Sequence, residues 1–400
     1  MGHHGPHRRE RPSTRSSSER HHQRLERHTA MTSADSRGKL PAFVMLAGTL
    51  ISLSGLTWDI DWHLDVGPDS FFTLPHLFIY SGGAIAGLTS LVMVLRATAA
   101  QRNGHDPDPA IGGRAFKVLG VFAAPIGFLV SGIGAATFLL YGLWDEWWHG
   151  LYGFDVTVAS PPHQGWLTSI CVTMIGTAIV FAADRDHRWG RWGFMVAIAA
   201  FGQYASIQSG ALADLNLSAT IDWPTLTWLA IPLVCVLLGS QVVPRGGAIG
   251  TGLFTLVLNL ATWSFASWAV GWYADLQHLA LRDFVELGFP IDMVLIPAIV
   301  FVFGVVVELL LRWRGASAWL LAGSGAAGVI AITWLLSSMG SEGVDLGGED
   351  GGGHAGSILL TCVVGGLLAG VLGGATWRLG QALRASNATP AVSVTVGGTA

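Results

Sequence analysis

Apolar runs of roughly twenty residues alternate with short polar stretches along the whole chain. The runs cover residues 40–58, 74–95, 116–143, 164–183, 192–211, 225–243, 247–273, 291–311, 317–338 and 357–377. Each approaches the length at which an α-helix crosses the hydrocarbon core of a bilayer, about 20 residues. A backbone surrounded by lipid must also satisfy its own hydrogen bonds, which selects helix. The pattern predicts an all-α, polytopic integral membrane bundle of about ten transmembrane helices. It divides into a basic tail over 1–38, a four-helix membrane unit over 39–190, a six-helix unit over 191–378 and a C-terminal tail over 379–400. The basic tail is rich in Arg, His and Ser, has no apolar face and is expected to be disordered. It contains Met31, an alternative to Met1 as the start of translation. It lacks a short apolar core followed by a small-residue cleavage site, so the first apolar run is expected to remain as an anchor.

Composition sharpens this reading. Only 12% of residues are charged, against about 25% in a soluble domain, which excludes an ordinary soluble enzyme. The net charge of -4 conceals a segregation by loop. Of the 22 Lys and Arg, 21 fall in loops on one side and only Arg282 on the other. The bias of basic loops toward the cytoplasm then places both termini inside the cell. The acids go the other way, with 17 of 26 in the outward loops. The expected partner is the lipid bilayer, and no nucleic-acid partner follows from such a distribution. Cys171, Cys235 and Cys362 each lie alone in an apolar run, which excludes a disulfide framework and a thiolate cluster and leaves them as packing residues. The 53 glycines concentrate in the membrane runs, where small residues let helices approach closely. Trp58, Trp62, Trp144, Trp147, Trp148 and Trp166 gather at outward helix ends, as expected of an interfacial aromatic belt, and some of them could wall a site.

The outward loops contain an internal duplication that relates helix pair 1–2 to helix pair 3–4. The first copy reads Trp58-Asp59-Ile60-Asp61-Trp62-His63, then Asp69, then Pro75-His76. The second reads Trp144-Asp145-Glu146-Trp147-Trp148-His149, then Asp155, then Pro162-His163. An Asp and a His four residues apart share one helix face, with Cβ atoms about 6 Å apart. A second His, delivered by the Pro that starts the returning helix, can complete a three-ligand set. Asp59, His63 and His76 form one candidate metal cluster, and Asp145, His149 and His163 the other. Two imidazoles and one carboxylate suit copper, zinc or non-haem iron. Asp69 and Asp155 are candidates to hold an imidazole N–H and fix its tautomer, or to cap helices. Trp62 and Trp148 are candidates to pack around the ligands. The competing reading is that these Asp, Trp and His side chains anchor the headgroup region. Two copies with nearly the same spacing favour the metal, because ionisable groups at membrane depth are costly unless paired.

The first copy resembles the first copper motif in a membrane subunit of the membrane-bound copper monooxygenases, the particulate methane and ammonia monooxygenases. The resemblance rests on Asp59, His63 and His76 at their intervals, with Trp62, Asp69, Ser70, Phe72, Thr73 and Pro75. The second copy is similar to the other site of the same family component through His149, His163-Gln164-Gly165-Trp166 and Pro161, with Asp145 where the family has Asn. The likeness spans roughly residues 55–170, and the C-terminal six-helix unit lies outside it. The resemblance implies copper, with zinc or non-haem iron behind it, at the outer membrane face. It also implies partner membrane subunits or a homo-oligomer, and oxygen activation against a small apolar substrate arriving through the bilayer. It assigns no catalytic side chain. The alternatives are a non-catalytic copper-handling or sensing membrane protein, and a transporter.

Other polar positions carry weaker signals. His3, His4, His7, His21, His22 and His28 in the tail could bind metal or be solvated. Asp275, His278, Asp283 and Glu286 could line a vestibule or cap helices, and Glu342 to His354 forms an acidic, Gly-rich stretch able to attract cations. Asp214, Asn216 and Asp222 read as turn and capping residues. Glu308 is four residues from Arg312, the spacing of a local ion pair. No phosphate-binding loop, dinucleotide fingerprint, nucleophile elbow or HExxH helix is present in the sequence.

Overall fold

Ten α-helices form where the apolar runs lie. The computed structural model describes residues 17–67, 70–153, 159–211, 221, 223–282, 292–338 and 351–388. In chain order the helices are α1 (Ser17–Asp65), α2 (Leu74–Arg102), α3 (Ile126–Tyr152), α4 (Pro161–Ala183), α5 (Arg188–Ala211), α6 (Trp223–Val242), α7 (Gly247–Gln277), α8 (Asp292–Arg314), α9 (Ala318–Ser338) and α10 (Gly351–Ala388). Eight contain segments long and apolar enough to cross a membrane, the exceptions being α5 and α6. The chain is a polytopic helical bundle in which α1 pairs with α2, α3 with α4 and α9 with α10, while α4, α5, α6 and α7 connect the two halves.

Two expectations change. The first concerns the basic tail, where helix α1 begins at Ser17, so the stretch expected to be disordered is helical from there onward. Residues 17–37 contain neither Pro nor Gly, and nothing local breaks a helix that the membrane segment continues. The second concerns the run at 116–143, which opens with a β-hairpin instead of helix. Strand β1 (Ala115–Val118) pairs antiparallel with β2 (Phe122–Pro125). Leu119 and Gly120 take φ of 49° and 72° in a turn closed by the Val121 N–H donating to the Val118 carbonyl at 2.9 Å. Positive φ at two consecutive residues favours a hairpin turn over helix. Pro125 then sits at the N-cap of α3, where its missing N–H costs nothing.

The duplication extends into the packing. Gly48 lies eleven residues before Asp59, and Gly134 lies eleven before Asp145. A Cβ on Gly48 would sit 2.7 Å from the Gly82 carbonyl oxygen, and one on Gly134 would sit 2.6 Å from the Ser169 carbonyl oxygen. Gly82 and Ser169 each lie six residues after the second His of their copy. Both hairpins therefore cross at the same register, with backbones touching at glycine, the small-residue contact that holds helices together in lipid. Ser52 Oγ donates to the Ile79 carbonyl at 2.9 Å beside the first crossing, and Ser90 and Ser131 join α2 to α3 through their hydroxyls at 3.0 Å.

Candidate metal centres

Both motifs are built where one helix ends and the next begins. In the first copy Asp59 and His63 occupy the last turns of α1, and His76 is the third residue of α2 after Pro75 at the second. In the other copy Asp145 and His149 occupy the last turns of α3, and His163 is the third residue of α4 after Pro162 at the second. Proline fits the first turn of a helix, where backbone N–H groups have no intrahelical acceptor. The hairpins run in the same sense, so both groups lie at one end of the bundle.

In the first group Asp59 Oδ1 lies 3.1 Å from His76 Nε2 and 3.7 Å from His63 Nε2. In the second, Asp145 Oδ1 lies 3.5 Å from His149 Nε2, Asp145 Oδ2 lies 3.4 Å from His163 Nε2, and the two Nε2 atoms are 3.3 Å apart. Within each group one donor atom from every residue lies within 4.8 Å of the others. Metal bonds of about 2.0–2.2 Å at a tetrahedral centre separate ligands by about 3.3–3.6 Å. The donors of both groups meet at separations close to that, so the convergence demanded by the spacing occurs twice.

Backbone carbonyls orient the rings. The Gly153 carbonyl lies 2.9 Å from His149 Nδ1, and the Ser70 carbonyl 3.1 Å from His76 Nδ1. A carbonyl only accepts, so each Nδ1 carries the proton and the lone pair of a neutral ring sits on Nε2, facing the carboxylate. This is how metal-binding imidazoles are commonly fixed. All three residues of the second group are buried, whereas His63 and His76 in the first are half-buried. His163 is also near enough to Asp59 to act on its charge, which places the two groups within electrostatic reach of each other.

Of the expected surrounding residues, Asp69 and Asp155 lie outside the described residues. Trp62 is buried and packs against Tyr273 at 4.9 Å between ring centroids, while Trp148 is half-buried and packs on Tyr152 at 4.5 Å. The rings recorded against the imidazoles are instead Tyr80, stacked on His76 at 5.9 Å, and Trp166, edge-on to His163 at 5.9 Å. Tyr80 stands four residues after His76 and Trp166 three after His163, so each shares the helix face of its imidazole, and that spacing was visible in the sequence. The tryptophan belt also divides. Trp58, Trp62 and Trp166 are buried with Phe138, Tyr204, Trp263 and Tyr273 in one core cluster, and Trp144 and Trp147 are exposed. Aromatic packing of α1 and α4 against α7 takes the first three out of the interfacial role.

The remaining polar positions are structural where they are described. His278 closes α7 with φ of 56°, a left-handed cap, in agreement with the capping alternative. Glu308 pairs with Arg312 at 3.3 Å and accepts from the Gly246 backbone N–H at 2.7 Å. Asp283, Glu286, Asp214, Asn216 and Asp222 lie outside the described residues. Cys171, Cys235 and Cys362 are buried free thiols.

Fold and groups together define a multi-pass membrane protein with two duplicated, buried His/Asp constellations able to hold metal ions. Comparison with known proteins returns no match among family models, curated proteins or solved structures.

Proposed function

We propose that this chain is a copper-binding membrane protein that takes part in oxygen activation on a small apolar substrate, with both clusters at the outer membrane face. The observation that carries the reading is the convergence, in each of two copies, of one carboxylate and two imidazoles within 4.8 Å. Neutral imidazole with carboxylate is a donor set that copper accepts strongly, since divalent affinity peaks at copper among the first-row metals. The likeness of the motif order to the membrane-bound copper monooxygenases favours copper over zinc and iron. Segregation of basic residues supports the outward placement.

Asp59 and Asp145 would hold the ion and offset its charge, and His63, His76, His149 and His163 would fix its geometry through Nε2. The Gly153 and Ser70 carbonyls keep two of those rings in the required tautomer. Trp58, Trp62, Trp166 and Tyr204 form an apolar wall that excludes water and would admit an apolar molecule from the lipid. Bound copper supplies one-electron chemistry toward dioxygen, with electrons from an external reductant. Partner subunits would deliver that reductant.

The test is elemental analysis and paramagnetic resonance on full-length protein in lipid nanodiscs, purified anaerobically. His63→Ala and His149→Ala should each lower the copper content by about half, and the double variant should abolish it. Unchanged copper in both single variants would end the metal reading. Incubation with oxygen, reductant and a short alkane then separates enzyme from binder: alcohol formation supports the oxygenase role, and copper retained without product refutes it.

A further inference from the structure

Helices α5, α6, α7 and α8 enclose a cavity of about 30 Å³, none of whose lining residues belongs to either cluster. Four polar side chains line it, and each already uses a donor within the protein. Gln203 Nε2 donates to Thr262 Oγ1 at 2.8 Å, and Ser206 Oγ to the Gly202 carbonyl at 2.8 Å. Thr255 Oγ1 donates to the Thr251 carbonyl at 3.0 Å, and Asn259 Nδ2 to the Thr255 carbonyl at 2.8 Å. What these groups offer the cavity is mainly acceptors. Gln203 is 3% exposed, and its Oε1 has no hydrogen-bond partner.

Two prolines add to this imbalance. Pro232 inside α6 and Pro297 inside α8 both line the cavity. A helical proline has no N–H for the carbonyl four residues earlier, which here belongs to Trp228 and Met293, themselves lining residues. An orphaned buried acceptor costs free energy until a donor reaches it. No carboxylate lines the cavity and its other walls are apolar, so a neutral donor suits it better than a cation. A water needs at least about 10–15 Å³ of such volume, so the space takes two waters or one molecule of methanol size.

We propose that this cavity is a binding site for a small neutral hydroxyl-bearing molecule, water or a short-chain alcohol, anchored by its O–H on Gln203 Oε1. The proposal does not depend on the metal reading. It is tested on the full chain in nanodiscs by saturation-transfer NMR with ¹³C-methanol and with ¹³C-fluoromethane, which matches methanol in shape but cannot donate. Oxygen-17 relaxation dispersion reports long-lived water in parallel. Saturable methanol binding that fluoromethane does not share, weakened about five- to tenfold in Gln203→Leu, supports the site with an alcohol as occupant. A long-lived water that is lost in Gln203→Leu, without methanol binding, supports it with water. Equal binding of fluoromethane, absence of both methanol and long-lived water, or saturable sodium or ammonium binding would overturn it. Ser206→Ala keeps the test decisive if Gln203→Leu does not fold, with methanol or water binding expected to weaken about two- to fivefold and an unchanged affinity counting against the proposal.

Discussion

The two clusters should differ in affinity, and the structure sets the order. In the second cluster the donor separations of 3.3, 3.4 and 3.5 Å already fall where a tetrahedral ion places them. In the first they are 3.1 and 3.7 Å, and the two imidazole centroids are 6.5 Å apart against 5.0 Å in the second. His63 is also 24% exposed where His149 is 4%, so its ring must be immobilised on binding. Ordering one such side chain costs about 0.5–1.5 kcal/mol, which makes the second cluster tighter by about two- to tenfold. Copper titration of the full chain in nanodiscs against a competing chelator should show two steps. His163→Ala should remove the tighter step, and His76→Ala the weaker one. At free copper a hundred times the tighter dissociation constant, wild type and His76→Ala should both gain about 2.7 kcal/mol of stability from the second cluster, which His163→Ala lacks. If His76→Ala removed the tighter step, or the steps were equal, the argument from preorganisation would be wrong.

Further expectations concern the scaffold. Gly48→Ala and Gly134→Ala drive a methyl group against a facing carbonyl, at 2.7 and 2.6 Å. Each should cost about 1–3 kcal/mol in reversible unfolding, and a neutral result would show that the crossings yield. Tyr204 is fully buried with a hydroxyl that has no hydrogen-bond partner, so Tyr204→Phe should raise stability by about 1 kcal/mol. A lower melting temperature for that variant would mean the hydroxyl is satisfied. Glu308→Ala strands the Gly246 N–H and should cost about 1–3 kcal/mol. Arg312→Ala removes only a partner whose side chain is 60% exposed and should cost less than about 1 kcal/mol in the same melts.

Most of the helical architecture was legible because lipid leaves the backbone few options: a twenty-residue apolar run has to become helix. The hairpin at 115–125 escaped because a short apolar stretch reads alike as strand or buried helix, and only Gly120 and Pro125 marked the break. Helix α1 extends back through residues 17–37 because their polarity describes solvation and carries no information against helix. The six candidate ligands were legible because four-residue spacing and a helix-opening Pro-His fix which side chains share a face. Their aromatic surroundings were less so. Trp62 and Trp148 hold matching places in the repeat, yet α7 covers the first and leaves the second half-exposed, and no local pattern encodes a neighbour distant in sequence.

The glycine crossings explain why the ligands converge at all. Asp59 and His76 belong to different helices, and nothing in the spacing within either helix brings their ends together. The contact between Gly48 and Gly82 does so, three turns below the Asp, and the contact between Gly134 and Ser169 repeats it at the same register. Helices held at backbone contact there cannot splay widely at their ends, so a carboxylate one turn before its His faces the imidazole of the returning helix. What was duplicated is therefore a complete hairpin, crossing included. Between the copies the chain kept the crossing register and the donor set while the packing around them diverged, so a difference in metal affinity should follow burial and ring separation instead of ligand identity.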